Sequence, residues 1–206
     1  MSDDDLIIEY KSRYAQILVP LADKLTVHLQ SSIAGLPRID RVAARAKTPD
    51  RFIGKARKAG DGGARKYADP LDQIQDQVGA RIIVFYLNDV EVISEAIDRY
   101  YKRIELKDLV PESLDEFGYV GKHYILAFPE DLFEDGANRN SLPQFFELQI
   151  KTLFQHAWSE AEHDLGYKPE EPLSRLQRRQ VAFTAAQAWG ADHLFSTLHG
   201  ELQAKA

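Results

Sequence analysis

The sequence predicts a single mixed α/β domain spanning 1–206, with a mixed sheet of about five strands flanked by helices. Three observations predict it. Stretches with apolar residues at three- and four-residue spacing are interspersed with short apolar or alternating runs, as where helices cover a sheet. The run 81–87, RIIVFYL, is continuously apolar, as a central strand buried on both faces is. The 206 residues show no internal repeat and no domain boundary, and suffice for one well-buried core.

Residues 6–32 read as a helix with Tyr10, Tyr14, Ile17, Leu21, Leu25 and His28 recurring along it. Pro20 should kink or divide it, and Gly35 and Pro37 end it. Residues 39–47 alternate: as a strand they place Arg41, Ala43, Arg45 and Lys47 on one face and Val42, Ala44 and Ala46 on the other. Pro49-Asp50 opens a short helix carrying Arg51 and Lys55, and 60–70 reads as a loop. After the central strand, Asn88 or Asp89 caps a helix running to about 104. Strands are expected at 119–128 and 144–151, with loop at 130–142 between them and a helix from about 152 to 165. A last helix, 173–202, offers Phe183, Trp189, Leu194, Phe195 and Leu198, and packs with the 6–32 helix on the core.

No cysteine is present, which excludes a disulfide framework and a thiolate site and suits a reducing, cytoplasmic setting. The acidic start, Met1 to Asp5, lacks the order of a signal peptide, and no apolar run has the length of a membrane span. The formal net charge of −6 argues against a general nucleic-acid binder, so no DNA partner is expected. Charge is uneven, however. Arg38 to Lys66 holds ten Lys/Arg and three acids, a net of +7, leaving −13 for the rest. Such an island reads as a local anion site, the plainer alternative being a solvated basic face.

Five constellations carry chemistry. Arg45, Lys47, Arg51 and Lys55 form a cradle able to hold a polyphosphate, with guanidinium forks and point-charge ammoniums; no GK[ST] loop accompanies them, which excludes a P-loop enzyme. Asp76-Gln77-Val78-Gly79-Ala80-Arg81 sets a carboxylate before the central strand, where it can hold a magnesium ion bridging phosphates; a turn cap is the bland reading. Tyr119, between glycines, can stack on a base, and Lys122 and His123 could reach phosphates. In 146–151, period two buries Phe146, Leu148 and Ile150 and turns Glu147, Gln149 and Lys151 the other way. Glu147 could then bind magnesium or act as a general base, or simply form a cross-strand ion pair. His156, Glu160 and His163 share one helix face; a hydrogen-bonded face supporting the site is favoured over a metal trio.

Taken in order, these motifs resemble the RelA/SpoT nucleotidyltransferase family, the synthetase domain of alarmone synthetases. The match lies in R-x-K with a following Lys (Arg45, Lys47, Lys55), D-x-x-G-x-R (Asp76, Gly79, Arg81) and G-Y-x-x-x-H (Gly118, Tyr119, His123). It continues in E-x-Q-x-K-T (Glu147, Gln149, Lys151, Thr152) and in the run from Trp158 through His163 to Tyr167 and Lys168, so that 38–168 is covered. The length is similar to that of a stand-alone small synthetase. The resemblance implies transfer of the β,γ-pyrophosphate of ATP to a ribose 3′-hydroxyl of GDP or GTP, with Mg2+ as cofactor. It implies that Arg45, Lys47, Arg51, Lys55 and Arg81 hold ATP phosphates, that Asp76 and Glu147 serve the metal, and that Glu147 activates the acceptor. Tyr119, Lys122, His123, Gln149 and Lys151 then bind and orient the acceptor, supported by His156, Glu160, His163, Tyr167 and Lys168.

Two positions depart from the usual pattern: Val120-Gly121 stands where Arg-Ser is frequent, and Lys151 where Arg is. Both lie on the acceptor side. Alternatives therefore stay open: a toxin of the same family that pyrophosphorylates the 3′ end of tRNA, partnered by an antitoxin, or a non-catalytic nucleotide or RNA sensor. A phosphohydrolase built on His163-Asp164 lacks separated partner ligands. A homo-oligomer is also left open, with Leu194, Phe195, Leu198 and Leu202 as core or interface.

Overall fold

The computed structural model describes residues 2–60, 63–111, 113, 116–134, 142–166 and 172–205. Five strands form one sheet: β1 (Ile39–Ala46), β2 (Val78–Val84), β3 (Arg103–Leu109), β4 (Gly121–Ala127) and β5 (Phe145–Thr152). Their order is β1-β2-β5-β4-β3, with β2 and β5 parallel and every other pair antiparallel. The helices are α1 (Asp3–Arg13), α2 (Val19–Ser32), α3 (Pro49–Ala56), α4 (Pro70–Gln73), α5 (Leu87–Tyr100), α6 (Leu153–Gly166) and α7 (Arg175–Gln203). This is the mixed sheet flanked by helices that the sequence predicts.

Local chemistry explains the boundaries. Ser2 caps α1 in a reciprocal capping box with Asp5. The first helical stretch divides where Tyr14–Leu18 widens into a π-helical turn, and the Val19 N–H reaches back to the Tyr14 carbonyl. Pro20 has no N–H to continue the ladder, and the wider turn accommodates its ring. β2 starts at Val78 rather than 81, because Val78 and Ala80 already face the core. It ends at Val84, since Tyr86 is the N-cap of α5 and Asp89, in the first turn, accepts from the Tyr86 N–H at 3.1 Å. Arg38 clamps that buried carboxylate through its Nε and Nη2, the latter at 2.6 Å, from a left-handed backbone with φ of 61°.

β3 has no counterpart among the predicted strands; the expected helix to about 104 stops at Tyr100 instead. Its sequence, RIELKDL, is mostly exposed and pairs only with β4. A charged edge strand shows little apolar alternation to betray it, and that charge also discourages pairing with other chains.

One face of the sheet carries the core. Val78, Ala80 and Ile82 of β2, Tyr124 and Leu126 of β4, and Phe146, Leu148 and Ile150 of β5 lie beneath α2 and α5. Each large apolar side chain buried here contributes about 1.5–3 kcal/mol. Thr26 of α2 accepts from the Ala44 N–H of β1 at 2.9 Å and ties helix to strand. The same alternation gives the opposite face its polar residues. α6 crosses part of that face, and α7 packs on α6 and α5. Most large apolar residues of α7 are exposed, including Phe183, Leu194, Leu198 and Leu202, while Ala185 and Asp192 are buried. Among the described residues, no helix is long and apolar enough to cross a membrane.

Candidate functional site

Strand register assembles the polar face. Arg45 of β1, Gly79 of β2 and Glu147 of β5 stand in one row, and Ala43, Arg81, Gln149 and His123 in the next. A cleft of about 460 Å3 opens over these rows, lined by Arg41, Arg45, Lys47, Thr48, Arg51, Asp76, Arg81, Glu147 and Gln149 among others. Gly79 lies in its floor, where an added Cβ would meet nothing within 4 Å and would project into the space.

At one end the groups are charged. The Lys47 backbone is fixed from two sides: its N–H donates to the Gln77 carbonyl at 2.8 Å, and its carbonyl accepts from the Tyr10 hydroxyl at 2.8 Å. Its ammonium and that of Lys55 both meet Asp76 Oδ2, at 3.0 and 2.9 Å. Burial pushes the Asp76 carboxyl up, but the two lysines outweigh it and hold the group below the usual carboxylate range. Asp76 Oδ1 is buried and accepts no hydrogen bond from the described residues. Partial burial, with Arg81 and Arg51 nearby, lowers Arg45, which is the electrostatics of a cation cluster awaiting an anion.

At the other end the groups are linked by hydrogen bonds. Glu147 Oε1 lies 2.7 Å from His123 Nδ1 and accepts from Gln149 Nε2 at 3.3 Å. His123 Nε2 lies 2.6 Å from the Tyr119 hydroxyl. Burial raises the Glu147 carboxyl, but His123 reverses the shift, leaving it below the ordinary value. Tyr119 is raised above its ordinary value, chiefly by burial and then by Glu147, and stays a neutral phenol. The Lys151 ammonium sits 4.6 Å from the Tyr119 ring centre and donates to Ser159 Oγ at 3.2 Å. It is only 3% exposed, and burial, with Arg81 nearby, pushes its pKa down to about 8.

The sequence-expected residues divide accordingly. Arg45, Lys47, Arg51, Lys55, Asp76 and Arg81 gather at the charged end; Tyr119, His123, Glu147, Gln149 and Lys151 gather at the other. Arg81 joins α6 through Glu160 at 2.8 Å. His156 lies close to this pair, its pKa lowered by burial and then by Arg81, with Nδ1 buried and without a hydrogen-bond partner among the described residues. His163 is exposed farther along α6, and among the described residues no group of three His, Asp or Glu side chains could hold a metal. Tyr167 and Lys168 lie outside the described residues.

Lys122 is a correction. It pairs in register with Ile150 on the core-facing side of the sheet and binds Glu91 of α5 at 2.6 Å. Neighbouring strand residues point to opposite faces, so Lys122 and His123 cannot both serve the cleft. The basic island is also smaller at the cleft than in the sequence: Arg38 is held by Asp89, and Arg57 and Arg65 by Asp3. Arg41, Thr48, Ser159 and Gly121 were not among the expected site residues. Only Arg41 carried a signal, its shared strand face with Arg45. Farther along β5, Thr152 Oγ1 donates to Asp192 of α7 at 2.8 Å, a contact that no sequence spacing announces.

The family profile described as "Region found in RelA / SpoT proteins" matches residues 44–172. The chain is 30% identical over 150 residues to "GTP pyrophosphokinase YjbM" of Bacillus subtilis (strain 168), covering 68% of this chain and 66% of that protein. In structure it is similar to small alarmone synthetase 1 of Bacillus subtilis, with a TM-score of 0.76 and 21% identity, over 93% of this chain and 98% of the other. It is also similar to that synthetase bound to its product pppGpp, with a TM-score of 0.70 and 22% identity, over 95% of this chain and 97% of the other. These structural likenesses bear on the fold.

Proposed function

This chain belongs to the RelA / SpoT family, and on that premise we propose that it transfers the β,γ-pyrophosphate of ATP to the ribose 3′-hydroxyl of GDP or GTP, making (p)ppGpp. One observation carries the reading: a single sheet face joins a cation cradle to two separated carboxylates, one of them bonded to a histidine that a tyrosine holds in turn. Pyrophosphoryl transfer asks mainly for positioning and charge neutralisation, and this is such an inventory.

In this reading Arg45, Lys47, Arg51, Lys55 and Arg81 bind the ATP phosphates in the cleft. Tyr119 stacks on the guanine, with Lys151 fixing the opposite ring face. Glu147 takes the proton of the 3′-hydroxyl. The oxygen bonds to the β-phosphorus as the bond from that phosphorus to the α,β-bridging oxygen breaks, and AMP leaves. His123 and Gln149 both engage Glu147 Oε1, which leaves Oε2 for the acceptor. The residues present suit a divalent metal: Asp76 has an unpaired buried oxygen, and Mg2+ is commonly held by one or two carboxylates together with substrate phosphates. Asp76 and Glu147 would hold Mg2+, which when bound would neutralise phosphate charge.

The tRNA acceptor loses part of its basis, since Arg38, Arg57 and Arg65 are engaged with acids rather than offered to a nucleic-acid backbone. A non-catalytic sensor gains nothing from two carboxylates beside a phosphate site. The test is transfer of label from γ-labelled ATP with Mg2+, offering GDP, GTP, GMP and bulk tRNA in parallel, with Glu147→Ala as control. Label in guanosine nucleotides, lost in the variant, supports the proposal; label on tRNA alone replaces it with the toxin reading, and none on any acceptor argues for the sensor.

A further inference from the structure

Tyr119 has two separable parts, a ring and a hydroxyl, and the structure gives each its own partner. The ring lies over the Lys151 ammonium, at 4.6 Å. The hydroxyl turns back over Gly121 to reach His123 Nε2 at 2.6 Å. This return is possible because residue 121 has no side chain: a Cβ there would lie 2.9 Å from the Tyr119 hydroxyl oxygen and 3.3 Å from its Cζ. The first distance is shorter than real Cβ contacts, so the ring would have to move. Gly121 begins β4 and its backbone is fixed by the ladder to Leu109, so the tyrosine is the part that yields.

We propose that the Tyr119 hydroxyl, admitted by Gly121, is a positioning group for the reaction, holding the rotamer of His123 against Glu147 and through it the orientation of that carboxylate. The claim rests on the function proposed above, and concerns a role for Tyr119 beyond stacking. An ionised Glu147 carboxylate can only accept, so the Nδ1 facing it carries a proton, and in the neutral ring Nε2 is left with the lone pair that the Tyr119 hydroxyl fills as donor. Nδ1 donates to Glu147 Oε1 at 2.7 Å, and the phenol holds the ring from its other side. With that oxygen fixed, Oε2 is the one turned to the acceptor hydroxyl. If the phenol is lost, Nε2 loses this partner and the imidazole is free to rotate off Glu147, which releases the Nδ1–H tautomer and removes the carboxylate's most direct tether. Gly121 is thus a specificity-determining position: any side chain there uncouples the acceptor-stacking ring from the base.

The experiment compares the full chain with Tyr119→Phe, Gly121→Ala and the double variant by two readouts. The first is the side-chain nitrogen NMR signal of His123 in nucleotide-free protein at one fixed pH, assigned with His123→Gln. The second is steady-state transfer from ATP to GDP, resolved into kcat and KM. Expected are an Nδ1–H ring in the parent and its loss or mixing in both single variants. Tyr119→Phe keeps the ring, so KM for GDP should stay within about twofold while kcat falls about tenfold, the effect of one hydrogen bond. Gly121→Ala should lower kcat to a similar extent and also raise KM, and the double variant should have no lower kcat than the worse single one, because both act through one contact.

An unchanged His123 signal together with parental kcat in Tyr119→Phe overturns the inference. Additive losses overturn the link to Gly121. If the parent transfers no pyrophosphate, the proposed function fails, and the histidine signal alone decides the positioning claim. Unfolding curves identify a variant that is merely misfolded, and Tyr119→Phe, which removes one oxygen, guards against that outcome at Gly121.

Discussion

The two ends of the cleft are built on different principles. At the proposed donor end, Lys47 and Lys55 both meet Asp76 Oδ2, at 3.0 and 2.9 Å, so charge meets charge at that oxygen before any ligand arrives. At the proposed acceptor end, a tyrosine, a histidine and a carboxylate are joined by hydrogen bonds, and the nearby lysine lies against a ring and a hydroxyl. Ion pairs tolerate a shift of a few tenths of an ångström, whereas a hydrogen-bonded chain depends on direction. The donor end is therefore suited to gripping a flexible polyphosphate, and the acceptor end to holding one hydroxyl in one place.

The largest expected effect tests that division directly. Glu147→Gln, which cannot take a proton, should lower kcat by about 10³-fold with little change in ATP affinity. Asp76→Asn should instead alter the magnesium requirement and ATP affinity together, as titrations of nucleotide binding with and without Mg2+ would report. Equal patterns in the two variants would break the distinction.

Next comes the support behind the acceptor strand. Asp192 is 2% exposed, and burial raises its pKa to about 6, against the Thr152 hydrogen bond that favours the anion. The folded state thus holds a proton that the unfolded state has released. This group's stabilising contribution is complete below about pH 4, and about 2–3 kcal/mol of it is lost as pH rises through 6. Asp192→Asn should remove that slope, seen as the difference between parent and variant in urea unfolding at pH 4.5 and 7.5.

A smaller effect belongs to Lys151. With its pKa lowered to about 8, it loses its charge as pH rises through that value, so KM for GDP should rise about tenfold between pH 7 and 9. Lys151→Arg stays charged and should flatten this limb; a limb that persists unchanged would assign it elsewhere. The smallest effect sharpens the map. Lys122→Ala removes an exposed pair with Glu91 on the far side of the sheet and should leave transfer within about twofold.

Legibility followed periodicity. Glu147, Gln149 and Lys151 against Phe146, Leu148 and Ile150 could be assigned to two faces without coordinates, because strand side chains alternate. The same held for Arg45 and Lys47 on β1. Applied one strand further, that rule would have removed Lys122, which alternation sets opposite His123. The edge strand β3 escaped notice because it has little buried face to mark it.

The sequence by itself determined the strand faces, the basic island and the order of motifs, since each is a local pattern of charge and polarity. Tertiary structure alone decided which cations remain at the cleft, that Asp192 backs Thr152, and that Tyr119 folds onto Gly121 to reach His123. Those contacts join residues through space, and the direction of a side chain between two strands is fixed by packing, not by spacing along the chain.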